Sequence, residues 1–374
     1  MSAPARVDSS LLGRWWLTVD RWMLAALLVL LALGALMVLA ASPAVAERLS
    51  LDSFHFAHRH LAFLVPSLFL MLAVSLLSPV GVRRLAMIML GVGMLLMLTT
   101  LIFGFEANGS RRWLAVGGIS FQPSEIVKPA LAVVAAWLFT LQRQSRGVPG
   151  DAMSAGLFAI VLLLLVMQPD FGMAFAATVV WSAQWFLTGL PLLWVGVLLA
   201  VGISGLIAGY RTLDHVQSRI DRFLDPATGD TYQIDTALSA FSSGGLLGRG
   251  PGEGVIKAHL PDAHSDFIFA VVGEEFGLVA CLALVALFAF VVLRGFLRLQ
   301  KEEDLFRLLA AAGLLTLFGM QALINMAVSL NLLPTKGMTL PFISYGGSSM
   351  LSLAVAMGMV LALTRWHVRP GYWP

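Results

Sequence analysis

Long apolar runs separated by short polar segments follow one another along almost the whole chain of 374 residues. Most runs have about the 20 residues that an α-helix needs to cross the hydrocarbon core of a bilayer. The pattern predicts an all-α polytopic membrane protein in which residues 1–374 form one integral membrane domain with about ten transmembrane helices. The predicted spans are 22–41, 61–77, 85–103, 126–141, 153–169, 172–188, 191–209, 267–293, 305–330 and 350–364.

The apolar stretch from Gly156 to Leu187 allows two interpretations, because Gln168-Pro169-Asp170-Phe171-Gly172 interrupts it. It forms either two spans joined by a tight turn or one long kinked helix, which would reduce the count to nine. Roughly 32 residues exceed what tilting alone accommodates in a bilayer. We therefore predict two spans.

Composition supports a membrane protein and excludes other classes. The chain is 59% hydrophobic and 12% charged, whereas soluble domains carry about 25% charged residues. The sequence pI near 9.3 does not indicate nucleic-acid binding, because the basic residues are scattered rather than gathered in a patch. The single cysteine, Cys281, excludes an intrachain disulfide. The run from Met23 to Ala41 is too long for a signal peptide and is expected to be an uncleaved first span.

Lysines and arginines are denser on the side of the predicted spans where the N-terminus lies. This bias predicts that both termini are cytoplasmic. The longest loop, residues 210–266 between the seventh and eighth spans, then lies outside. Apolar residues at helical spacing within it (Ile234, Leu238, Phe241) predict a short helix at the membrane surface.

Two polar loops at the ends of apolar runs, residues 263–269 and 334–349, are the most informative segments. Irregular polar backbone at a membrane boundary is tolerated where it is buried in protein or lines a water-filled cavity. Asp266 lies where the first loop meets the eighth span. Its carboxylate is either a helix N-cap or a general base whose pKa is raised by apolar neighbours. His264 is a rival base or a simple loop histidine.

Glu125 and Lys128 share one face at the start of the fourth span, since they are three residues apart. They form a structural ion pair, or Lys128 faces the same cavity as Asp266. Arg112 suits bidentate phosphate contact but also an ordinary interfacial anchor. In the last loop Lys336 and a Gly- and Ser-rich segment form an anion-binding concavity or a tight turn. The candidate residues of that segment are Ser344, Gly346, Gly347 and Ser348.

Further polar residues are predicted inside the spans. Glu274 and Glu275 point about 100° apart on a helix, so they cannot both face one ligand, and structural polar packing is the favoured role. Gln321 and Asn325 share a face four residues apart and are expected to form interhelical hydrogen bonds.

Four blocks carry a resemblance to the SEDS family (shape, elongation, division and sporulation) of bacterial cell-wall glycosyltransferases. The chain is more similar to its division branch than to its elongation branch, in part because Lys336 precedes Gly-Met-Thr-Leu-Pro. Arg112 with Trp113, and Gln122-Pro123-Ser124-Glu125 followed by Lys128, match family motifs. Asp266 matches the family's essential carboxylate. The blocks are 109–128, 168–172, 259–277 and 334–349.

The resemblance implies a peptidoglycan glycosyltransferase that polymerises lipid II, with inversion, at the outer face of the bacterial cytoplasmic (inner) membrane during septal wall synthesis. Asp266 would be the general base. Lys128 and Arg112, with Arg249, Lys257 or Lys336, would supply positive charge for the departing pyrophosphate.

The implied partners are the undecaprenyl-pyrophosphate-linked glycan, a class B penicillin-binding transpeptidase and other divisome membrane proteins. A divalent cation (Mg or Mn) could neutralise the pyrophosphate, although no ligand cluster in the sequence demands one. The alternatives are a lipid II flippase and a non-catalytic scaffold. We favour an enzyme, because the polar residues gather in external loops and at outer span ends.

Overall fold

The architecture comes from a computed structural model. It describes residues 10–107, 110–117, 119–145, 147–189, 192–212, 217–218, 220–221, 223, 231–334 and 337–366. Lys336, the Asn108-Gly109 dipeptide and part of the long loop lie outside the described residues.

The described chain is a bundle of helices with one small sheet. Among the described residues, seven helices are long and apolar enough to cross a membrane, and two shorter helices, Phe171–Leu187 and Gly347–Leu363, are also apolar. The bounds are α1 Leu11–Thr18, α2 Arg21–Arg48, α3 His55–Ser75, α4 Pro79–Phe103, α5 Pro123–Gln144, α6 Gly150–Met167, α7 Phe171–Leu187, α8 Leu192–Thr212, α9 Tyr232–Gly244, α10 Ile268–Leu299, α11 Leu305–Ser329 and α12 Gly347–Leu363.

Each predicted span falls on one of these helices, whereas the count of ten membrane crossings stays a prediction. The stretch from Gly156 to Leu187 is two helices, α6 and α7, as predicted, because α6 ends at Met167 and α7 begins at Phe171. The helix predicted around Ile234 to Phe241 is also present, as α9.

The two ends of the bundle differ in what covers them. We call the "hairpin end" the end that carries residues 49–54, 104–107, 110–117, 119–122, 168–170, 231–267, 330–334 and 337–346, and the opposite end the "terminal end". At the hairpin end a three-stranded antiparallel sheet is formed by β1 Phe105–Ala107, β2 Ser110–Val116 and β3 Ile119–Phe121. Phe105 pairs with Trp113 and Leu114 with Phe121.

The core lies along α5, α11 and α12. Most of the apolar stretch of α5 and of α11 is buried. In α3, α4, α6 and α10 only about a third of the apolar stretch is buried. The outer helices expose large apolar side chains such as Phe69, Ile88 and Leu293, which suits a face toward lipid. The buried position of α5 and α11 matters because both carry the polar side chains of the candidate site.

α10 is interrupted near the hairpin end. Gly277 has a φ of 75° and a ψ of −175°, which suits glycine because a Cβ disfavours this region. The carbonyls of Glu274 and Glu275 accept the amides of Arg249 and Gly250 at 3.0 and 2.9 Å. Beyond the break, the amides of Leu278 and Val279 donate to Gly245 and Leu246. A preceding loop thus satisfies the groups that the break exposes.

The terminal end is closed by a buried cluster of charges. The Asp20 side chain is fully buried, caps α2 by accepting from Trp22 and Met23 at 3.1 Å, and pairs with Arg294 and Arg298 of α10 at 2.8 Å each. Two cations and two backbone amides therefore compensate one buried carboxylate.

Candidate active site

Asp266 lies in the turn that leads into α10. The N-cap position of α10 belongs to Phe267, so Asp266 lies one residue before the cap. Asp266 lines a cavity of about 30 Å³ together with Gln233, Phe267, Asn325, Val328, Gly337 and Met338. A Cβ built on Gly337 would lie 3.5 Å from the Asp266 Oδ2 atom. The carboxylate therefore faces the start of the last loop.

Ser344 joins the last loop to the turn that carries Asp266. Its hydroxyl donates to the Ser265 carbonyl at 2.6 Å and accepts the Leu340 amide at 2.8 Å. The Tyr345 amide donates to the His264 carbonyl at 2.8 Å. These bonds fix the last loop against the turn that carries Asp266. The role of Ser344 in substrate binding stays a prediction.

His264 is held in an aromatic environment. Its ring lies 4.2 Å from the Phe56 ring and 5.3 Å from the Tyr345 ring, measured between centroids. Burial, assisted by the nearby Arg48 guanidinium, lowers the pKa of His264 to about 4. His264 therefore stays neutral near pH 7, and its Nδ1 has no hydrogen-bond partner among the described residues.

Lys128 and Glu125 form a buried ion pair near the start of α5. The Lys128 Nζ lies 3.0 Å from the Glu125 Oε2, and both side chains are almost completely buried. Lys128 also donates to the Gln321 Oε1 at 3.3 Å. The predicted pair is present, and α11 supplies a third polar partner.

Gln321 and Asn325 connect Lys128 to the loop beside Asp266. The Gln321 amide nitrogen donates to the Thr339 carbonyl at 3.2 Å and to the Ser349 hydroxyl at 3.2 Å. The Asn325 amide nitrogen donates to the carbonyls of Asp266 at 2.9 Å and Met338 at 2.7 Å. Gln321 thus forms the expected interhelical bonds, whereas Asn325 binds loop carbonyls.

Arg112 reaches the same region from the sheet. Its guanidinium lies 3.5 Å from the Asp170 Oδ1, and Gln122 donates to the Asp170 Oδ2 at 3.0 Å. Burial raises the pKa of Asp170, while Arg112 and, more weakly, Lys128 act to lower it. Arg112 therefore lies in a polar layer that borders the Lys128 pair.

The Gly- and Ser-rich segment begins α12. Gly346 holds the N-cap position, and Gly347 packs so closely on Phe63 that a Cβ would lie 2.6 Å from the ring. The Ser348 hydroxyl accepts a hydrogen bond from the backbone amide of Gln122 at 3.1 Å. The segment forms a tight helix start, and its predicted anion binding stays a prediction. The role predicted for Lys336 lies outside the described residues.

Glu274 and Glu275 are structural, as favoured by the sequence. Glu274 accepts the amides of Ile256 and Lys257 at 2.7 and 2.8 Å. Glu275 pairs with the Lys257 ammonium, which also donates to the Ala40 carbonyl at 2.9 Å. These contacts hold Lys257, which is as buried as Lys128, against α2 and α10, and its predicted contact with a pyrophosphate stays a prediction.

The described residues contain no group of three or more His, Cys, Asp or Glu side chains that could hold a metal ion. Mg²⁺ is often bound by one or two carboxylates together with substrate phosphates, and Asp266 could supply one. The requirement for a divalent cation therefore stays a prediction.

Sequence reasoning missed several polar partners in this region. The sequence places Asp170 in a turn and Gln122 in a motif, and it predicts no partner for either. Thr339 and Ser349 join the network through Gln321, and the Thr339 hydroxyl donates to Ser349 at 2.8 Å. Buried amides and hydroxyls near span ends are the signal that could have found them, because such groups need hydrogen-bond partners.

Comparisons with known proteins place the chain in a family. The family model of the FtsW, RodA and SpoVE cell cycle proteins matches residues 21–368. The probable peptidoglycan glycosyltransferase FtsW of Caulobacter vibrioides is 47% identical over 368 residues, which cover 98% of this chain and 94% of that protein.

Solved structures show the same architecture. A chain from a structure described as coordination of polymerization and crosslinking by a peptidoglycan synthase complex matches with a TM-score of 0.75 at 28% identity, covering 93% of this chain and 98% of that one. The rod shape determining protein RodA of Thermus thermophilus matches with a TM-score of 0.69 at 28% identity, covering 93% and 97%. The chain therefore belongs to the SEDS family of FtsW, RodA and SpoVE proteins, is most like FtsW, and is a multi-pass membrane protein.

Proposed function

We propose that this protein is a peptidoglycan glycosyltransferase that polymerises lipid II into glycan strands for the septal cell wall. The observation that carries the proposal is the continuous polar network at the hairpin end. It links the turn of Asp266 to the buried Lys128 through Asn325, residues 338–339 and Gln321. The similarity to a probable peptidoglycan glycosyltransferase and to a chain of a peptidoglycan synthase complex supports the same reaction class.

Asp266 acts as the general base. The 4-hydroxyl of the GlcNAc in an incoming lipid II loses its proton to the Asp266 carboxylate. Its oxygen attacks C1 of the MurNAc at the end of the growing glycan, from the face opposite the pyrophosphate. The bond between C1 and the phosphate oxygen breaks, undecaprenyl pyrophosphate leaves with the bonding electrons, and the configuration at C1 inverts. A positioned general base typically contributes about 10²–10⁴-fold to a rate.

The departing pyrophosphate needs positive charge. Lys128 is a buried ammonium, and a charge in a water-poor site acts more strongly than one in bulk water. Its ion pair with Glu125 offsets part of the cost of burying the ammonium. The Arg112 guanidinium, in the adjacent polar layer, adds positive charge for the departing pyrophosphate. The Gly- and Ser-rich start of α12, with Ser344, Gly346, Gly347, Ser348 and Lys336, contributes to substrate binding in this proposal.

The reaction requires the hairpin end to face the outside of the cytoplasmic membrane, where lipid II headgroups are displayed. In this orientation α2–α8 and α10–α12 provide ten crossings, both termini are cytoplasmic, and α9 lies in the external loop. A class B penicillin-binding transpeptidase would crosslink the strands, and other divisome membrane proteins would recruit the pair.

Polymerisation by purified protein tests the proposal. Labelled lipid II is incubated with the wild type and with Asp266→Asn, each with and without the class B transpeptidase, and glycan polymer is resolved on a gel. We expect polymer from the wild type and almost none from the variant. Transfer of lipid II across a vesicle membrane without polymer would instead favour a flippase.

Cysteine labelling tests the orientation. Single cysteines are placed at Ser242 of α9 and at Ser145 after α5, both exposed, in a Cys281→Ser background. A thiol reagent that does not cross the cytoplasmic membrane is added to cells whose outer barrier has been made permeable. We expect labelling at position 242 and none at 145, and the reverse pattern would place Asp266 in the cytoplasm.

A further inference from the structure

Asn325 uses its amide nitrogen to tie two loops together. Its side chain is 2% exposed, and Nδ2 donates to the Asp266 carbonyl at 2.9 Å and to the Met338 carbonyl at 2.7 Å. An amide group has two N–H donors, so both are used on the backbone of the two loops that line the Asp266 cavity. A helix side chain therefore fixes the backbone of the residue that carries the proposed base.

Gln321 lies one turn away on the same face of α11 and makes the matching connection toward Lys128. Its Oε1 accepts from the Lys128 ammonium at 3.3 Å, and its Nε2 donates to the Thr339 carbonyl at 3.2 Å. Met338 and Thr339 are adjacent residues. The side-chain amides of Asn325 and Gln321, both on α11, thus hold residues 338–339 of the last loop. Asn325 also binds the turn of Asp266, and Gln321 also binds the Lys128 ammonium.

We infer that Asn325 is a positioning residue that sets the place of the Asp266 carboxylate relative to the Lys128 ammonium. The inference rests on the proposed function, in which Asp266 takes a proton and Lys128 meets the leaving group. Both groups must act on one donor–acceptor pair at the same time. A displacement of 1 Å in such an arrangement can reduce a rate about 10²-fold.

A stabilising role alone is the alternative explanation. Removing a buried amide leaves two carbonyls without partners, which destabilises a protein wherever it occurs. The chain offers a matched control for this effect. Gln184 of α7 is fully buried, and its Nε2 donates to two backbone carbonyls on different helices, Ala132 at 2.7 Å and Leu309 at 3.0 Å. Leu309 lies twelve residues before Gln321 in the same helix, toward the terminal end.

The experiment compares Asn325→Leu with Gln184→Leu in the full-length protein together with its transpeptidase partner. Each substitution removes an amide that donates to two carbonyls and keeps a side chain of similar size. We expect the two variants to lose similar thermal stability. We also expect Asn325→Leu to lose about 10- to 100-fold in kcat with a KM for lipid II within about twofold of the wild type, while Gln184→Leu keeps a near-normal kcat.

Hydrogen exchange gives a readout that does not depend on activity. Amides of residues 262–268 and 337–346 should exchange faster in Asn325→Leu than in the wild type, and no faster than the wild type in Gln184→Leu. Equal losses of kcat in both variants, or unchanged exchange at Asp266, would overturn the inference. A wild type that shows no polymerisation would refute the proposed function, whereas the exchange comparison would still decide whether Asn325 sets the turn.

Discussion

The two ends of α10 meet aspartates in different ways. At the terminal end Asp20 is completely surrounded by partners: two arginines of α10 and two backbone amides of α2. At the hairpin end Asp266 precedes the N-cap and is held through its carbonyl by Asn325. The Asp20 carboxylate is compensated entirely within the fold, whereas Asp266 lines a cavity, as the role proposed for it requires.

The largest expected difference comes from replacing each aspartate by asparagine. Asp266→Asn should reduce polymerisation about 10²–10⁴-fold because it removes the base, with a near-normal melting temperature. Asp20→Asn should destabilise the protein by about 3 kcal/mol because it leaves two arginines without their counter-charge. Thermal unfolding and polymerisation assays on both proteins check this. An inactive Asp20→Asn that is as stable as the wild type would contradict the comparison.

Lys128 tests whether a fully paired group can also serve the reaction. Lys128→Met should destabilise the protein by about 3–5 kcal/mol, since Glu125 would be left buried without its partner, and adding Glu125→Gln should recover part of the stability.

If Lys128 meets the pyrophosphate, the stable double variant should still polymerise at least about tenfold more slowly than the wild type, because a fixed cation stabilises developing charge. The activity per folded molecule, measured for the two single variants and the double variant, checks this. A double variant with normal activity would give the pair a purely structural role, like that of the Asp20 cluster.

His264 predicts a pH dependence at the hairpin end. The pKa of His264 is about 4 in the folded protein, below its ordinary value near 6.5. As the pH falls below about 6.5, His264 therefore binds a proton in the unfolded chain before it does so in the folded protein. Stability should therefore fall as the pH drops from about 6.5 toward 4, by on the order of 1–2 kcal/mol at about pH 5. His264→Phe should remove this part of the loss. The melting temperatures of both proteins, measured from about pH 5 to 7.5, check this. The same dependence on pH in both proteins would contradict it.

Ser344→Ala should have the smallest effect. It removes a hydroxyl that makes two hydrogen bonds, one donated to Ser265 and one accepted from Leu340, each of which typically contributes about 1 kcal/mol. The turn of Asp266 should loosen, so we expect a few-fold loss of polymerisation. Thr364→Val is a suitable control, since the hydroxyl of Thr364, the C-cap residue of α12, donates to the Val360 carbonyl at the terminal end. Equal activity in the two variants would separate Ser344 from the reaction.

The helices could be predicted from the sequence because length and apolarity decide which segments enter a bilayer. The pair of Glu125 and Lys128 could be predicted as well, since helical spacing alone brings them to one face. For Asp266 the sequence left an N-cap and a base as alternatives. The structure assigns the N-cap to Phe267, a one-residue difference that local sequence rules do not resolve.

Contacts between residues far apart in the chain could not be predicted from local sequence patterns. Lys257 was a candidate for pyrophosphate binding, and it is buried against Glu275 and the Ala40 carbonyl. Its partners come from a helix more than two hundred residues earlier and from one that follows. The break at Gly277 was equally unpredictable, because a lone glycine in an apolar run is usually tolerated at a cost of about 1 kcal/mol.

The break in α10 has a consequence for how the protein is made. Lipid offers no hydrogen-bond partners to the carbonyls of Glu274 and Glu275 or to the amides beyond Gly277, so the break is stable only when residues 245–250 lie against it. That loop precedes α10 in the chain and leaves the ribosome first. Residues 268–277 of α10 can therefore complete their hydrogen bonds only when that earlier loop lies against them, so we expect the turn of Asp266, which leads into them, to be completed late in folding.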